Sequence, residues 1–582
     1  MNKLIISIIV VTIIVSGINS FAILYKFAFA QSQRNKDEFI KDLDKNQDGM
    51  VSREEFPGPD DIFGRLDRDR FISFEEASKE GKPHHLESME EGSHNQSKPA
   101  FAQLETGKCG DGICQDIERE RGVCADCLNA SKSSVTSSGS YGDNSVDADG
   151  FLWGTETYPN VIDQTKGVIN ETLKINYVKM RLQLPMVTRE GETFTAKICM
   201  PSQSVCVKQY DLDAAVKLFK ENNWSMVPML SHDNEDKTID SSDIDNFVDF
   251  ADWFVSRYKN DARIKYIELV NSPAFWWNGS EKQLLDLSNK TYDRIKNKYP
   301  DIMVGTPGFE YWNDASGENS TGGGKAVRQI EYFLDKNNGA KFDFWAFHGY
   351  PTVIMDTPTV YPPNKKAKYN KYAGIYGLLV IREKLNDNGW EDRLIIDMEH
   401  TGIFPGKPFF TVEEDKLESA YMVQELLLKK TLRSNNKSVL AGIFPLKIAS
   451  RGNKGEFLWA SLNADGSITH TVKAVSILLD KLNQYNWVSR VSGEFDDENQ
   501  AWIEKFHLGD NKELYIFFKP FEYKTGQTIA FDNKIIRHGL PLSKKPAKVT
   551  LTDIYGNISS VIVNTSIILE SENAPKFLEV EY

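Results

Sequence analysis

Between residues 149 and 485 the chain alternates short apolar runs with stretches of helical periodicity, and this alternation limits the fold more than any other feature. The apolar runs are Phe151–Thr157, Tyr177–Met186, Ser225–Ser231, Ile264–Val270, Ile302–Thr306, Phe342–His348, Leu394–Glu399 and Val439–Leu446. Among the helical stretches are Leu212–Glu221, Ile244–Lys259, Glu281–Lys298, Ala326–Asn337, Ile375–Asn386 and Glu414–Arg433, and Ala474–Gln484 closes the series. Eight strands alternating with helices suit an α/β fold of the (β/α)8 TIM-barrel type better than an open sheet. No Gly-rich fingerprint follows the first strand, which counts further against an open doubly wound sheet.

From about Trp487 the helical signal stops. Short alternating runs follow, such as Ala501–Phe506, Glu513–Phe518, Ala547–Leu551 and Ser560–Val563, separated by turns such as Gly509-Asp510. Residues 486–582 therefore read as a C-terminal β-sandwich. Ahead of the barrel lie smaller pieces: a helix-loop-helix pair over 31–80, a polar linker over 81–108, a cysteine module over 109–127 and a Ser-rich linker over 128–148.

The N-terminus has the form of a targeting segment. Lys3 precedes the apolar run Leu4–Ile18, and Ala28-Phe29-Ala30 is a small-x-small cleavage site before Gln31. Residues 1–30 read either as a cleaved signal peptide or as a retained membrane anchor; both place the rest of the chain outside the membrane, secreted or at the cell surface. The cysteines fit an oxidising location. Cys109, Cys114, Cys124 and Cys127 form one close set and Cys199 with Cys206 a second, and an even number favours disulfides. The first set could alternatively hold zinc, but it has a single CxxC pair where a zinc site of this kind shows two. It resembles short CGDGxC…CxxC modules of microbial surface proteins. Sequons at Asn129, Asn170, Asn278 and Asn557 agree with export and glycosylation. A net charge of -14 argues against nucleic acid as a partner, since phosphate binding needs clustered Lys and Arg.

Asp44–Glu55 reads DKNQDGMVSREE. Oxygen donors stand at positions 1, 3, 5, 7, 9 and 12: Asp44, Asn46, Asp48, Met50 through its backbone carbonyl, Ser52 and Glu55. Gly49 supplies the turn. This is the pattern of an EF-hand loop and implies bound Ca2+. A second half aligns Ile72 with Val51 and puts Arg65 and Arg70 at the first and sixth positions, which removes a ligand and the turn glycine. Its expected role is to pair with the first loop, and the expected affinity is weak, on the order of 10⁻⁵–10⁻³ M.

Ile264–Gly279, IKYIELVNSPAFWWNG, begins as a buried strand, breaks at Asn271-Ser272-Pro273 and opens into an aromatic loop. Together with LIIDMEHTG (Leu394–Gly402) and FDFWAFHGYP (Phe342–Pro351), it resembles the clan A barrel glycosidases, nearest the xylosidase/iduronidase-like branch, over roughly Asp149–Tyr582. Those enzymes use two carboxyl groups about 5–5.5 Å apart, from the ends of the fourth and seventh strands. The resemblance puts Glu399 on the nucleophile, Asn271 on the residue that binds the sugar 2-hydroxyl, and His348 and Tyr350 along the site. Arg181 matches a basic residue that supports the nucleophile, and Trp276, Trp277 and Trp312 are candidates to stack on sugar rings. Ser272 falls on the acid/base. A serine cannot protonate a leaving oxygen at neutral pH, and general acid catalysis is worth typically about 10²–10⁴-fold. Glu310 is the one candidate substitute, read in the loop after the fifth strand; Glu268 should lie deeper in the barrel. Three readings remain: an exported calcium-binding protein whose barrel binds carbohydrate without hydrolysing it, an active retaining glycosidase with an unconventional acid, and a cell-surface protein in which the barrel is scaffold.

Overall fold

The computed structural model describes residues 50–52, 71–73, 144–157, 162–184, 187–190, 193–202, 205–232, 240–310, 323–349, 374–399, 411–445, 449–450, 460–462, 467–522, 529–562 and 564–582. The N-terminal segment 1–30, Asp44, Asn46, Asp48, Glu55, Cys109, Cys114, Cys124, Cys127, Trp312 and Tyr350 lie outside these residues; of Met50, Ser52, Cys199 and Cys206 only the backbone is described. The chain divides into two compact units, Met1–Ala100 and Phe101–Tyr582. In the first, Met50–Ser52 pairs antiparallel with Phe71–Ser73, and Val51 stands opposite Ile72.

The second unit holds a closed barrel of eight parallel strands. They are β1 (Leu152–Thr157), β2 (Tyr177–Gln183), β3 (Ser225–Ser231), β4 (Tyr266–Asn271), β5 (Met303–Glu310), β6 (Phe344–His348), β7 (Leu394–Glu399) and β8 (Gly442–Ile443). Neighbours in the ring follow chain order, and β8 closes on β1 through Gly442–Leu152 and Ile443–Trp153. A helix follows each strand: α1 (Ile162–Gly167, continued as a π turn over Val168–Leu173), α2 (Leu212–Glu221), α3 (Ser241–Tyr258), α4 (Glu281–Lys298), α5 (Gly323–Leu334), α6 (Gly374–Asp387), α7 (Val412–Thr431) and α8 (His470–Leu482). Among the described residues no helix is long and apolar enough to cross a membrane.

Helix starts are written in side chains. Asp211 caps α2 by accepting from the Asp213 and Ala214 amides. Capping boxes open α3 (Asp240 with Asp243), α4 (Ser280 with Gln283) and α7 (Thr411 with Glu414). The spacing Leu212, Ala215, Val216, Phe219 puts one face of α2 on the barrel.

Two apolar layers result. Trp153, Phe309, Trp345 and many others fill the space between strands and helices. Inside the barrel, Leu152, Tyr177, Val227, Tyr266, Phe344, Ala346, Ile396, Met398 and Phe444 form a separate buried floor. Tyr266 meets Tyr177 and Phe344 edge-on, with ring centroids 6.1 and 6.0 Å apart. Because side chains alternate along a strand, the residue two places beyond each floor residue projects into the next layer toward the C-terminal mouth.

Two departures from the sequence reading stand out. The strand expected over Tyr177–Met186 stops at Gln183, and an antiparallel sheet of Val187–Glu190, Thr193–Ser202 and Val205–Asp211 is inserted before α2. In it Cys199 lies opposite Gln209 and Cys206 opposite Pro201. The C-terminal part is β-rich, as expected. A six-stranded antiparallel sheet runs in the order Asn486–Ser492, Trp502–Leu508, Lys512–Phe518, Lys576–Glu581, Lys548–Asp553, Ile558–Ser560, and Ile536–Pro541 pairs with Ser566–Ser571. Ile503, Phe517, Leu540, Ile567, Leu569 and Leu578 form a buried cluster shared by both sheets.

The sequon Asn170 sits in the π turn with its amide engaged at both atoms. Its Nδ2 donates to Asn222 Oδ1 at 2.8 Å and its Oδ1 accepts from Trp224 Nε1 at 2.7 Å.

Candidate functional site at the barrel mouth

The layer above the apolar floor is charged. Glu156 stands on β1 two places beyond Gly154, Lys179 follows Tyr177, Glu268 follows Tyr266, and His348 follows Ala346. All four are buried, and they meet. Lys179 Nζ lies 3.0 Å from Glu268 Oε2, 3.4 Å from Glu399 Oε2 and 3.5 Å from Glu156 Oε2, and donates to the Met398 carbonyl at 2.9 Å. Burial acts against the ammonium charge, but the carboxylates of Glu268, Glu156 and Glu399 outweigh it and hold Lys179 above its ordinary range. Burial likewise acts to raise Glu268, yet Lys179 and His348 overcome it and hold that carboxyl below its ordinary value.

His348 joins this layer to the mouth. Its Nε2 is paired directly with Glu268 Oε1. An ionised carboxylate only accepts, so Nε2 carries the proton. Its Nδ1 lies 3.2 Å from Ser272 Oγ and 3.8 Å from Glu399 Oε2. The two positions matched to the catalytic pair of barrel glycosidases therefore converge on one imidazole nitrogen. Gly308 on β5 makes room for this pairing, since a Cβ there would overlap the Glu268 carboxylate and the His348 ring.

Strand β4 ends irregularly. Val270 and Ser272 both take left-handed backbone, each with φ 42°, a conformation that costs a β-branched residue most. The β4–β5 register shifts beside them. The kink brings Ser272 to the mouth at the head of a one-turn helix, Pro273–Trp276. The Asn271 amide N–H donates to Ser231 Oγ at 3.0 Å, while its side-chain Oδ1 is buried with no hydrogen-bond partner among the described residues.

The remaining expected residues lie on several elements. Arg181, on β2 one layer above Lys179, lies over the half-buried Trp276 ring with 5.7 Å from Cζ to the centroid. Lys179, on the same strand face as Arg181, puts its ammonium 3.4 Å from Glu399 Oε2. Trp277 is fully buried, edge-on to His232 at 6.2 Å, with Nε1 donating to the Ser280 carbonyl at 3.1 Å; it builds the wall of the barrel mouth. Glu310 is the last residue of β5, in the strand and not in the loop, buried and in register with His348, which is itself in register with Glu399.

A second buried cluster supports the site from behind. Asp397, on β7, accepts from the Gly349 amide at 2.9 Å and from Lys429 of α7 at 2.7 Å, and Lys429 also donates to the Gly349 carbonyl at 2.9 Å. Glu425 lies 2.9 Å from Lys429. Both peptide groups of the residue after His348 are thus held. Burial pushes the Glu425 carboxyl up to about 7, against the pull of Lys429.

Lys179 and Glu156 were not singled out from the sequence. The available signal was an ionisable residue inside an otherwise apolar strand run, WGTET and YVKMRLQ, at the inward parity.

No family model matches the chain, and no curated protein matches it. Solved structures do. A family 39 glycoside hydrolase from the gut symbiont Bacteroides cellulosilyticus WH2 is 15% identical with a TM-score of 0.53, over 76% of this chain and 82% of its own. A glucosidase from Croceicoccus marinus is 11% identical with a TM-score of 0.48, over 74% and 95%. A family 44 xyloglucanase from Paenibacillus polymyxa is 13% identical with a TM-score of 0.39, over 72% and 82%. The likeness to the family 39 structure is one of fold: the chain folds as a glycoside hydrolase-like (β/α)8 barrel with a β-rich C-terminal part.

Proposed function

We propose that the barrel binds carbohydrate at its C-terminal mouth and has given up hydrolysis of ordinary glycosides. One observation carries this reading. The residue at the end of β4 is Ser272, and it is hydrogen-bonded to His348 where a glycosidase of this fold needs a carboxylic acid. Glu399 is held by Lys179 and faces His348, which supports it as the nucleophile position, while the Ser272 hydroxyl at the acid position cannot protonate a leaving oxygen at neutral pH. Losing the acid costs about 10²–10⁴-fold on substrates with poor leaving groups. Asn271, Arg181 and Trp276 remain to hold a sugar.

Two measurements test this. Calorimetric titration with a panel of neutral oligosaccharides is expected to detect binding, weakened about 2- to 10-fold by Trp276→Ala, the worth of one aromatic contact. Turnover of an aryl glycoside with an activated leaving group, abolished by Glu399→Gln, would replace the binding reading with an active glycosidase. No binding across the panel would leave the barrel as scaffold.

The N-terminal unit is a calcium module of an exported protein in this reading. The pairing of Val51 with Ile72 supports it, because paired loops of this kind meet at that position. Asp44→Ala combined with Glu55→Gln is expected to abolish calcium uptake in a titration of the full chain; an unchanged isotherm refutes the assignment.

A further inference from the structure

An activated serine nucleophile needs three things: a hydroxyl within reach of an imidazole nitrogen, a carboxylate on the other nitrogen, and a reason for that carboxylate to stay ionised. The barrel mouth holds all three. Ser272 Oγ is 3.2 Å from His348 Nδ1, and His348 Nε2 is paired with Glu268. The other oxygen of Glu268 is 3.0 Å from Lys179 Nζ. Ser272 also stands on a left-handed turn between a strand and a helix, with φ 42° and ψ 60°. A tight strand-to-helix turn is how other folds lift a nucleophilic serine clear of a sheet. A glycosidic or purely sugar-binding role uses neither the Ser272–His348 bond nor the Glu268–His348 pair.

We propose that Ser272, His348 and Glu268 form an acyl-transfer triad, and that the barrel hydrolyses esters of small carboxylic acids on sugar hydroxyls. The sugar part rests on the carbohydrate-binding reading above; the triad stands on geometry alone. Ser272 Oγ attacks the acyl carbon while its proton passes to His348 Nδ1. The resulting imidazolium is paired with Glu268 at Nε2 and has Glu399 3.8 Å from Nδ1. The tetrahedral intermediate collapses with cleavage of the acyl C–O bond, and Nδ1 returns the proton to the departing sugar oxygen. Water then attacks the acyl-serine, gives its proton to Nδ1, and releases the carboxylic acid as Ser272 regains its proton.

The test uses the full chain with p-nitrophenyl acetate and with a fluorophosphonate. One adduct per chain, mapped to Ser272 by peptide mass, is expected on the unaltered protein. Ser272→Ala should lose the adduct and lower p-nitrophenyl acetate hydrolysis by at least about 10³-fold, the scale on which triads fail. His348→Asn should lower the rate similarly; because His348 is buried, its thermal melt is compared first, and the mapped adduct decides the matter if that variant does not fold. No adduct, an adduct on another residue, or an unchanged rate in Ser272→Ala overturns the triad. Neither probe carries a sugar, so an adduct without oligosaccharide binding keeps the triad and removes the carbohydrate substrate. Binding without an adduct removes the triad alone.

Discussion

Lys179→Met is expected to destabilise the barrel by about 3–5 kcal/mol, the cost of stripping the partner from buried charge. Methionine fills the same volume, so the loss is electrostatic: Glu156, Glu268 and Glu399 all lie within 3.5 Å of the Lys179 ammonium. The pH dependence gives the effect a signature. In the unaltered protein, Lys179 is raised, so its contribution is complete below the unfolded lysine value of about 10.4 and is lost only as pH climbs through the folded value. Glu268 is lowered, so its contribution is complete above the unfolded carboxylate value of about 4.3 and is lost as pH falls through the folded value. Between those limits this network contributes a flat plateau. Without the ammonium, only His348 is left to oppose the burial of Glu268, so that carboxyl moves up, and stability then increases on acidification from pH 8 to pH 5. Urea midpoints at those two pH values measure the change, and a variant with the unaltered protein's midpoint at pH 8 refutes the electrostatic account. Adding Glu268→Gln to Lys179→Met should recover part of the loss, because the two sites share one interaction.

Apolar periodicity located the barrel because each element carries its own signal. Ser225–Ser231, Leu394–Glu399, Leu212–Glu221 and Glu281–Lys298 have the bounds read from the sequence, and both helices are fixed by caps at Asp211 and Ser280. Closure was harder to read. The run Val439–Leu446 supplies only Gly442 and Ile443 as strand, squeezed between β7 and β1, with Gly442 against the Leu152 backbone. The sheet inserted after β2 had a clean period of two in TFTAKICM, but the neighbouring run invited one long strand instead. The charged layer could not be read at all from one strand at a time. Nothing in YVKMRLQ says that Lys179 will face Glu268, because their strands are separated by β3. That contact exists only once eight strands share one axis and the Tyr177 and Tyr266 rings set a common level. Glu399, Ser272 and His348 were legible because each ends or directly follows its strand beside a break in the apolar pattern; Lys179, Glu156 and the role of Glu268 were not, because each sits inside its run.

Lys429→Met should produce the second large loss, about 3–5 kcal/mol at pH 8, with a consequence at the site that a general loss of stability lacks. Lys429 pairs with Asp397 and Glu425 and donates to the Gly349 carbonyl, while Asp397 holds the Gly349 amide. Removing the ammonium leaves two buried carboxyls facing each other and frees the peptide that follows His348. Glu425 already titrates at about 7, above its unfolded value of about 4.3, so its contribution to stability is complete below that lower value and declines as pH rises through about 7. Without Lys429 both carboxyls move higher, and the variant should recover stability between pH 8 and pH 5 more steeply than the unaltered protein does. Lys429→Met with Glu425→Gln removes one of the opposed charges and should regain part of the loss at pH 8. The local effect is read separately, under conditions where the variant stays folded: hydrogen exchange over 344–349 should accelerate, since the Gly349 amide loses a fixed acceptor, while exchange over the Tyr177–Gln183 strand stays slow. Equal acceleration in both segments would mean that Lys429 supports the barrel as a whole and does not hold His348 in place.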